Sequence, residues 1–163
     1  MLRHDVSLLA YHLPLDAHLT LGNNAQLGQR LGLGETRQFG EQNIAWVGEL
    51  AMPMTLTTLS AQIGDVLQRV PQVLGEADSI IRRVAWCSGG AQGYFEAAIA
   101  QGADVYVTGE VSEQCFHLAQ ESGVAFIAAG HHATERLGIQ ALGIHLAAKF
   151  GLEQRFFDQN NPV

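Results

Sequence analysis

The sequence predicts an α/β fold in which a mostly parallel sheet is flanked by helices. Short apolar runs alternate with amphipathic helical patterns, glycines separate the two, and the alternation occurs three times between Ile80 and Phe150. Strands that alternate with helices form parallel pairs joined by right-handed crossovers. A length of 163 residues is sufficient for one domain or two very small ones.

The first part of the chain contains an apolar run followed by a polar stretch. Val6–Tyr11 is expected to form a strand, because it is almost continuously apolar. Pro14 is expected to end regular structure, which places Asp16 in a loop just after that strand. A lone Asp after a proline commonly forms a turn, so Asp16 by itself predicts no site.

The next elements are shorter and are separated by glycine and proline. A helix is predicted at 25–31, and strands with turns are predicted at 36–52. Thr57–Val70 has apolar residues at helical spacing and is expected to end at Pro71. A short strand is predicted around Val73.

The second half of the sequence has the most regular pattern. Each predicted strand is followed by a turn that contains glycine, and each predicted helix ends at another glycine. The predicted elements are a strand at 83–87, a helix ending at 101, a strand at 105–108, a helix at 112–122, a strand at 124–129, a helix at 131–150 and a final strand at 154–158.

Composition and charge exclude some classes of partner. The formal net charge of -7 and the absence of a Lys/Arg cluster argue against binding to a nucleic-acid backbone. No apolar stretch is long enough to cross a bilayer, and the first residues lack the pattern of a signal peptide. Cys87 and Cys115 are expected to be buried free thiols, so we expect a cytoplasmic protein.

The strongest local signal for chemistry is His131 with Glu135. On a helix, residues at this spacing lie side by side, so an imidazole and a carboxylate could bind one metal ion or act as an oriented base. The alternative is an ordinary first helical turn, in which the acid interacts favourably with the helix dipole. Both interpretations remain open on spacing alone.

Other candidates lie at the same predicted edge of the sheet. The turns at 88–90, 109–110 and 130–135 all follow parallel strands, so they should meet in one cleft. Glu110 and His117 are candidate catalytic residues of that cleft, although Glu110 could be a helix-terminal acid and His117 a half-buried histidine. Ser88–Gly93 could bind phosphate or simply form a tight turn. His12 is assigned no role.

Three motifs together resemble the NIF-three-like family, also known as the GTP cyclohydrolase I type 2 homologues. They are Leu13–His18 with Gly22–Asn24, Val107–Glu110, and Gly130–Glu135. The resemblance extends from about Val6 to the end of the chain. It implies a dinuclear metal site in a cleft of an α/β protein that assembles into a toroidal hexamer.

The resemblance also implies the metal ligands, which are Asp16, His131 and Glu135. Carboxylate and imidazole ligands suit divalent Mn, Fe, Zn, Ni or Mg, among which the residues do not discriminate. The family also has a His-His pair in an amino-terminal segment, and this sequence lacks it. We therefore expect a truncated chain that binds one ion weakly and exposes apolar surface within residues 6–50.

The expected function is that of a metal-dependent hydrolase acting on a small nucleotide-like or cyclic amide substrate, impaired by truncation. The alternative is a non-catalytic toroidal scaffold or protein-interaction module with a structural metal. We expect a homo-oligomer and no nucleic-acid or membrane partner. The chain is expected to comprise a remnant of the amino-terminal metal-site lobe (1–40), a connecting segment (41–80) and a βαβαβαβ lobe (81–163).

Overall fold

A six-stranded sheet with helices on both faces forms the centre of the computed structural model, which describes residues 2–163. In chain order the helices and strands are α1 (Leu13–Asp16), α2 (Asn23–Arg30), β1 (Leu33–Phe39), β2 (Ala45–Thr55), α3 (Leu56–Leu67), β3 (Gln72–Leu74), β4 (Ile80–Trp86), α4 (Phe95–Ala100), β5 (Val105–Thr108), α5 (Glu113–Ser122), β6 (Ala125–Ala128) and α6 (His131–Phe150).

The strand order is β1-β2-β4-β5-β6-β3. The three central strands β4, β5 and β6 pair in parallel, as the strand–helix alternation predicts, and the other three pairings are antiparallel. The α/β class is therefore confirmed. This one sheet contains strands from all three of the segments into which the sequence was divided, 1–40, 41–80 and 81–163.

Alternate residues of the strands point to two apolar layers, as the two-residue period of a strand requires. On one face, Val84 and Trp86 pack with apolar residues of α2, α3 and α6. On the other face, Ala85 and Tyr106 pack with α4 and α5. Helices on both faces leave β5 and β6 fully buried, which explains their continuous apolar runs. None of the helices within residues 2–163 has the length and apolarity needed to cross a membrane.

Two of the predicted strands do not form. Residues 6–11 have no regular structure, and Leu8 and Leu9 are 70% and 75% exposed. Residues 152–163, which we call the tail, are also irregular, so the strand predicted at 154–158 is wrong. An apolar run forms a strand only where a sheet edge is available to pair with it, and neither segment pairs with β1 or β3, the edge strands.

Pro14 and Pro71 do not end regular structure where predicted, and Pro53 lies within a strand. Pro14 lies in the first turn of α1 rather than ending regular structure, a position where its missing N–H costs nothing. Pro53 lies inside β2, where the pairing with β4 shifts register between Glu49 and Met54. Helix α3 ends at Leu67, before Pro71, because Gln68 adopts a left-handed conformation with φ +55°.

The tail runs against α6 and is attached to it by polar contacts. Arg136 donates a hydrogen bond of 2.6 Å to Asp158, and the His132 backbone N–H donates one of 3.1 Å to the Val163 carbonyl. The hydrogen bond between the His132 ring and Asp158, reinforced by the guanidinium of Arg136, holds the pKa of Asp158 below its usual range. The first turn of α6, whose N–H groups lack helical partners, is thus partly capped by the tail.

Candidate functional site

The turns that follow β4, β5 and β6 lie against one another. The Gly109 N–H donates to the Gly89 carbonyl over 2.9 Å, and the Gly130 N–H donates to the Gly109 carbonyl over 2.9 Å. Parallel strands end at a common edge, and these bonds join the three turns there. The structure therefore brings together the three glycine-containing turns expected to share an edge.

Gly89 allows the first of these turns to approach α6 very closely. Its φ is +69°, and a Cβ atom built on it would lie 2.1 Å from the Glu135 Oε1 atom. The Gly89 N–H donates to the buried Thr134 hydroxyl over 2.9 Å. Any larger residue at this position would be strained and would displace the Glu135 carboxylate.

His131, on the first turn of α6, lies between two carboxylates. Its Nδ1 is 2.6 Å from Glu110 Oε1, and its Nε2 is 3.2 Å from Glu135 Oε2. The hydrogen bond with Glu110 raises the pKa of His131, and the same bond lowers the pKa of Glu110. Because Glu110 occupies Nδ1, the ring is held with Nε2 directed towards Glu135.

Asp16 is brought to α6 by Asn23, at the start of α2. The Asn23 amide donates to Asp16 Oδ1 over 2.6 Å, and its carbonyl oxygen accepts from the Gly138 N–H over 2.7 Å. Both side chains are buried, Asp16 being 4% exposed. A buried carboxylate needs such a partner, so Asn23 both satisfies Asp16 and fixes its position relative to α6.

His12, Asp16 and Glu135 form a group whose ligand atoms all lie within 4.8 Å of one another. The His12 Nε2 is 3.9 Å from Asp16 Oδ2, the carboxylate oxygen that Asn23 leaves free. Burial and then the nearby Asp16 raise the pKa of Glu135. A half-buried carboxylate with a raised pKa, beside a second carboxylate and an imidazole, forms a donor set that fits a divalent cation.

The predicted site residues do not all lie together. Asp16 and Glu135 belong to the three-residue group, and His131 contacts it through Glu135. Glu110 lies behind His131 and orients it. His117 is exposed on α5 and lines a different cavity with residues such as Glu96, so its catalytic role remains a prediction.

Sequence reasoning missed His12 and the bridging role of Asn23. The available signal for His12 was its spacing from Asp16, which equals the spacing of His131 from Glu135. A spacing of four residues brings two side chains together only on a helix. The sequence was expected to have no helical turn at Leu13–Asp16 because of Pro14, so the spacing did not predict that His12 lies beside Asp16.

Comparisons with known proteins agree with this architecture. The family model described as Duf34/NIF3 (NGG1p interacting factor 3) matches residues 1–162. A protein of Neisseria meningitidis serogroup A called "GTP cyclohydrolase 1 type 2 homolog" is 59% identical over the whole chain, and one of Pseudomonas aeruginosa with that name is 52% identical. The chain spans 66% of the length of each.

A solved structure has nearly the same backbone. The protein described as "Structural genomics, protein ybgI, unknown function" aligns with a TM-score of 0.90 at 44% identity, over 99% of this chain and 65% of that one. The likeness covers the sheet, the helices on both of its faces and therefore the elements that position the site.

Proposed function

The chain belongs to the Duf34/NIF3 family, and on that premise we propose that it binds a divalent metal ion and acts as a metal-dependent hydrolase on a small substrate. His12, Asp16 and Glu135 would hold the ion, with His131 as a further ligand through Nε2. The observation that carries the proposal is the convergence of donor atoms of His12, Asp16 and Glu135 within 4.8 Å of one another, with His131 Nε2 3.2 Å from Glu135.

The polypeptide supplies the ligand set and its orientation. A divalent ion held there would supply Lewis acidity, polarising a substrate carbonyl and acidifying a water molecule. Glu110 would keep the His131 ring oriented, and Asn23 would keep Asp16 directed towards the ligands, the role of outer partners in metal sites. Glu135 contacts His131 and lies near Asp16, so its carboxylate is placed to bind an ion together with either residue.

An open site favours catalysis over a purely structural metal. The His12 side chain is 80% exposed, and the group borders cavities large enough for a small molecule. A structural site is normally closed by four protein ligands, whereas a catalytic site keeps a position for water or substrate. Openness is therefore what the hydrolase proposal requires, and because this sequence lacks the His-His pair that the family resemblance implies, substrate turnover is the property that separates a hydrolase from a scaffold.

Metal titration tests the first half of the proposal. Purified chain is freed of metal with a chelator and titrated with Mn²⁺ by isothermal calorimetry, with elemental analysis of the loaded protein. Glu135→Gln and Asp16→Asn are expected to weaken binding by more than about 100-fold, because loss of even an outer partner costs about 10- to 100-fold. Glu121→Gln, an exposed carboxylate on α5, is the matched control.

Two outcomes would contradict the metal assignment. One is stoichiometric binding that survives both substitutions, and the other is equal weakening by Glu121→Gln. The hydrolase half is tested by screening the loaded chain against cyclic amides and nucleosides. Turnover lost in Glu135→Gln supports it, and full metal loading without turnover of any substrate favours the scaffold alternative.

We also propose that the chain associates with copies of itself, as the family resemblance implies, into a hexamer. Support comes from an exposed apolar surface around a cavity of about 410 Å³ between residues 9–12 and the outer face of α6, which includes Ile139. Contiguous exposed apolar patches mark association sites. Light scattering on the protein as it elutes from a size-exclusion column measures the mass of the assembly, and a monodisperse monomer would contradict the proposal.

We also propose a cytoplasmic location, which is supported by the two free buried cysteines.

A further inference from the structure

A cavity of about 300 Å³ lies between the end of α3, the first turn of α6 and the tail. We call it the tail cavity, and its lining includes Arg69, His132, Ala133, Arg136, Asp158 and Pro162. The described residues that line it do not include His12, Asp16 or Glu135. The tail cavity is therefore separate from the candidate metal group.

The two least exposed basic side chains of the protein both line the tail cavity. The chain contains nine Lys and Arg residues. Arg69 and Arg136 are half-buried, and the other seven are exposed. These two arginines are far apart in the sequence, and the fold brings them to one cavity. Because a charged side chain is rarely withdrawn from water without a partner, their position indicates that the cavity favours anions.

Arg136 has a carboxylate partner at the tail cavity, whereas Arg69 has a neutral one. Arg136 donates a hydrogen bond of 2.6 Å to Asp158. Arg69 donates to the Pro162 carbonyl, and within residues 2–163 no Asp or Glu oxygen lies within 4.0 Å of its nitrogens. Two guanidinium groups and one carboxylate leave one positive charge uncompensated, in a chain whose formal net charge is -7.

Packing and hydrogen bonding hold the Arg69 side chain in place. A Cβ atom built on Gly130 would lie 2.7 Å from both Cδ and Nε of Arg69, so the side chain lies against the turn that precedes α6. The hydrogen bond to Pro162 fixes the end of the guanidinium group. A group fixed at two points loses little conformational freedom when it binds a ligand.

Asp158 shows that an oxyanion fits among the donors of this cavity. Its carboxylate contacts Arg136 over 2.6 Å and the His132 Nε2 atom over 3.0 Å. His132 and Ala133 belong to the first turn of α6, where the helix dipole favours negative charge. A phosphate group has more acceptor oxygens than a carboxylate, and they do not lie in one plane. It can therefore accept from Arg69 and Arg136 together.

We propose that the tail cavity is a binding site for a phosphate group, which Arg69 and Arg136 hold together and with which Asp158 competes. The ligand is inorganic phosphate or the phosphoryl group of a small ester, since the volume of the cavity admits either. The inference goes beyond the proposed function, because binding here requires no metal ion and none of the residues of the three-residue metal group.

The test measures phosphate binding to the full chain after a chelator has removed metal, at constant ionic strength. Inorganic phosphate and glycerol 3-phosphate are the probes, and the widths of their ³¹P NMR lines report binding. We expect Arg69→Gln to weaken phosphate binding at least about 10-fold, the value of one hydrogen bond to a charged group. Arg82→Gln removes the same charge from an exposed position on β4. This matched control should bind phosphate within about twofold of the wild type, because salt screens distant charges.

Two further variants separate a loss of binding from a loss of folding. Arg69→Lys keeps the charge without the planar fork of donors, so it should retain part of the phosphate affinity. Asp158→Asn removes the competing carboxylate and should raise the affinity about 2- to 5-fold, the fold-change that corresponds to a partly exposed ion pair. A gain in affinity cannot result from misfolding.

The inference would be overturned by a chain that binds no phosphate, by equal affinities of Arg69→Gln and the wild type, or by an equal loss in Arg82→Gln. An Asp158→Asn chain without increased affinity would overturn it as well. Tighter binding of glycerol 3-phosphate would identify an ester as the ligand, tighter binding of inorganic phosphate would identify the free ion, and both orders support the site. Arg69-dependent phosphate binding in a chain that takes up no Mn²⁺ would refute the metal proposal and support this one.

Discussion

Asn23 should be among the most sensitive positions in the chain, because it links α1, α2 and α6 through one buried amide. Asn23→Ala removes the donor to Asp16 and the acceptor for the Gly138 N–H. A hydrogen bond to a charged group contributes about 1.5–3 kcal/mol, and a neutral one about 0.5–1.5 kcal/mol. We therefore expect a loss of about 2–4 kcal/mol in the free energy of unfolding.

The assay is urea denaturation at pH 7, followed by tryptophan fluorescence. Trp86 is a suitable reporter because its indole N–H donates to the Asn24 carbonyl over 2.9 Å, next to the altered residue. Gln29→Ala, on the exposed side of α2, is the control and should change the free energy by less than about 0.5 kcal/mol. If the two variants were equally stable, the bridging role assigned to Asn23 would be refuted.

The same substitution should affect metal binding separately from stability. Without Asn23, the Asp16 carboxylate loses the partner that orients it, so Mn²⁺ affinity should fall about 10- to 100-fold at temperatures where the variant is still folded. Asn23→Asp should be worse than Asn23→Ala at pH 7, because it places a second carboxylate against Asp16. An unchanged Mn²⁺ affinity in a folded Asn23→Ala chain would show that Asp16 needs no such support.

Three further outcomes are expected. Gly89→Ala should lower the free energy of unfolding by about 1–3 kcal/mol, because the backbone at this position is left-handed. It should also lower the Mn²⁺ affinity measured by calorimetry, because the added Cβ would displace Glu135. An Mn²⁺ affinity equal to that of the wild type would contradict the close approach of Gly89 to Glu135. Burial, together with nearby carboxylates, raises the pKa of the Cys87 thiol to about 12, so iodoacetamide at pH 8 should modify it only after unfolding, which mass spectrometry would detect. The lowered pKa of Asp158 means that its bond to Arg136 is fully present above pH ~4, the unfolded value, and is lost as pH falls through the folded value. The protection factor of the His132 amide, which is its exchange measured against the intrinsic rate at the same pH, should therefore fall at acid pH and in Asp158→Ala already at pH 7, and unchanged protection would contradict the attachment.

Most of the second half of the fold could be predicted because its signals are local. The strand 105–108 and the helix 131–150 have the predicted bounds, since an apolar run bounded by glycines defines each one within a few residues. The strands expected at 6–11 and 154–158 failed for a non-local reason. Their apolar residues satisfy the strand pattern, but pattern says nothing about whether a sheet edge is free to pair with them.

The candidate site also has a part that the sequence predicts and a part that it does not. The pairing of His131 with Glu135 follows from helical spacing alone, and the meeting of Glu110 with His131 follows from the parallel order of the strands. The approach of His12 does not follow from either rule. It depends on a single helical turn that Asn23 anchors to α6, and no residue pattern near His12 encodes that distant contact.

The attachment of the tail has a consequence for biosynthesis. The first turn of α6 receives a hydrogen bond acceptor from Val163, and Arg136 is paired with Asp158. While the chain is being translated, these partners emerge from the ribosome after the helix itself has been made. Until residues 158–163 are available, the His132 N–H and Arg136 would therefore lack these partners, whereas the bonds of Gly130 and Thr134 to the turns after β5 and β4 can form without the tail.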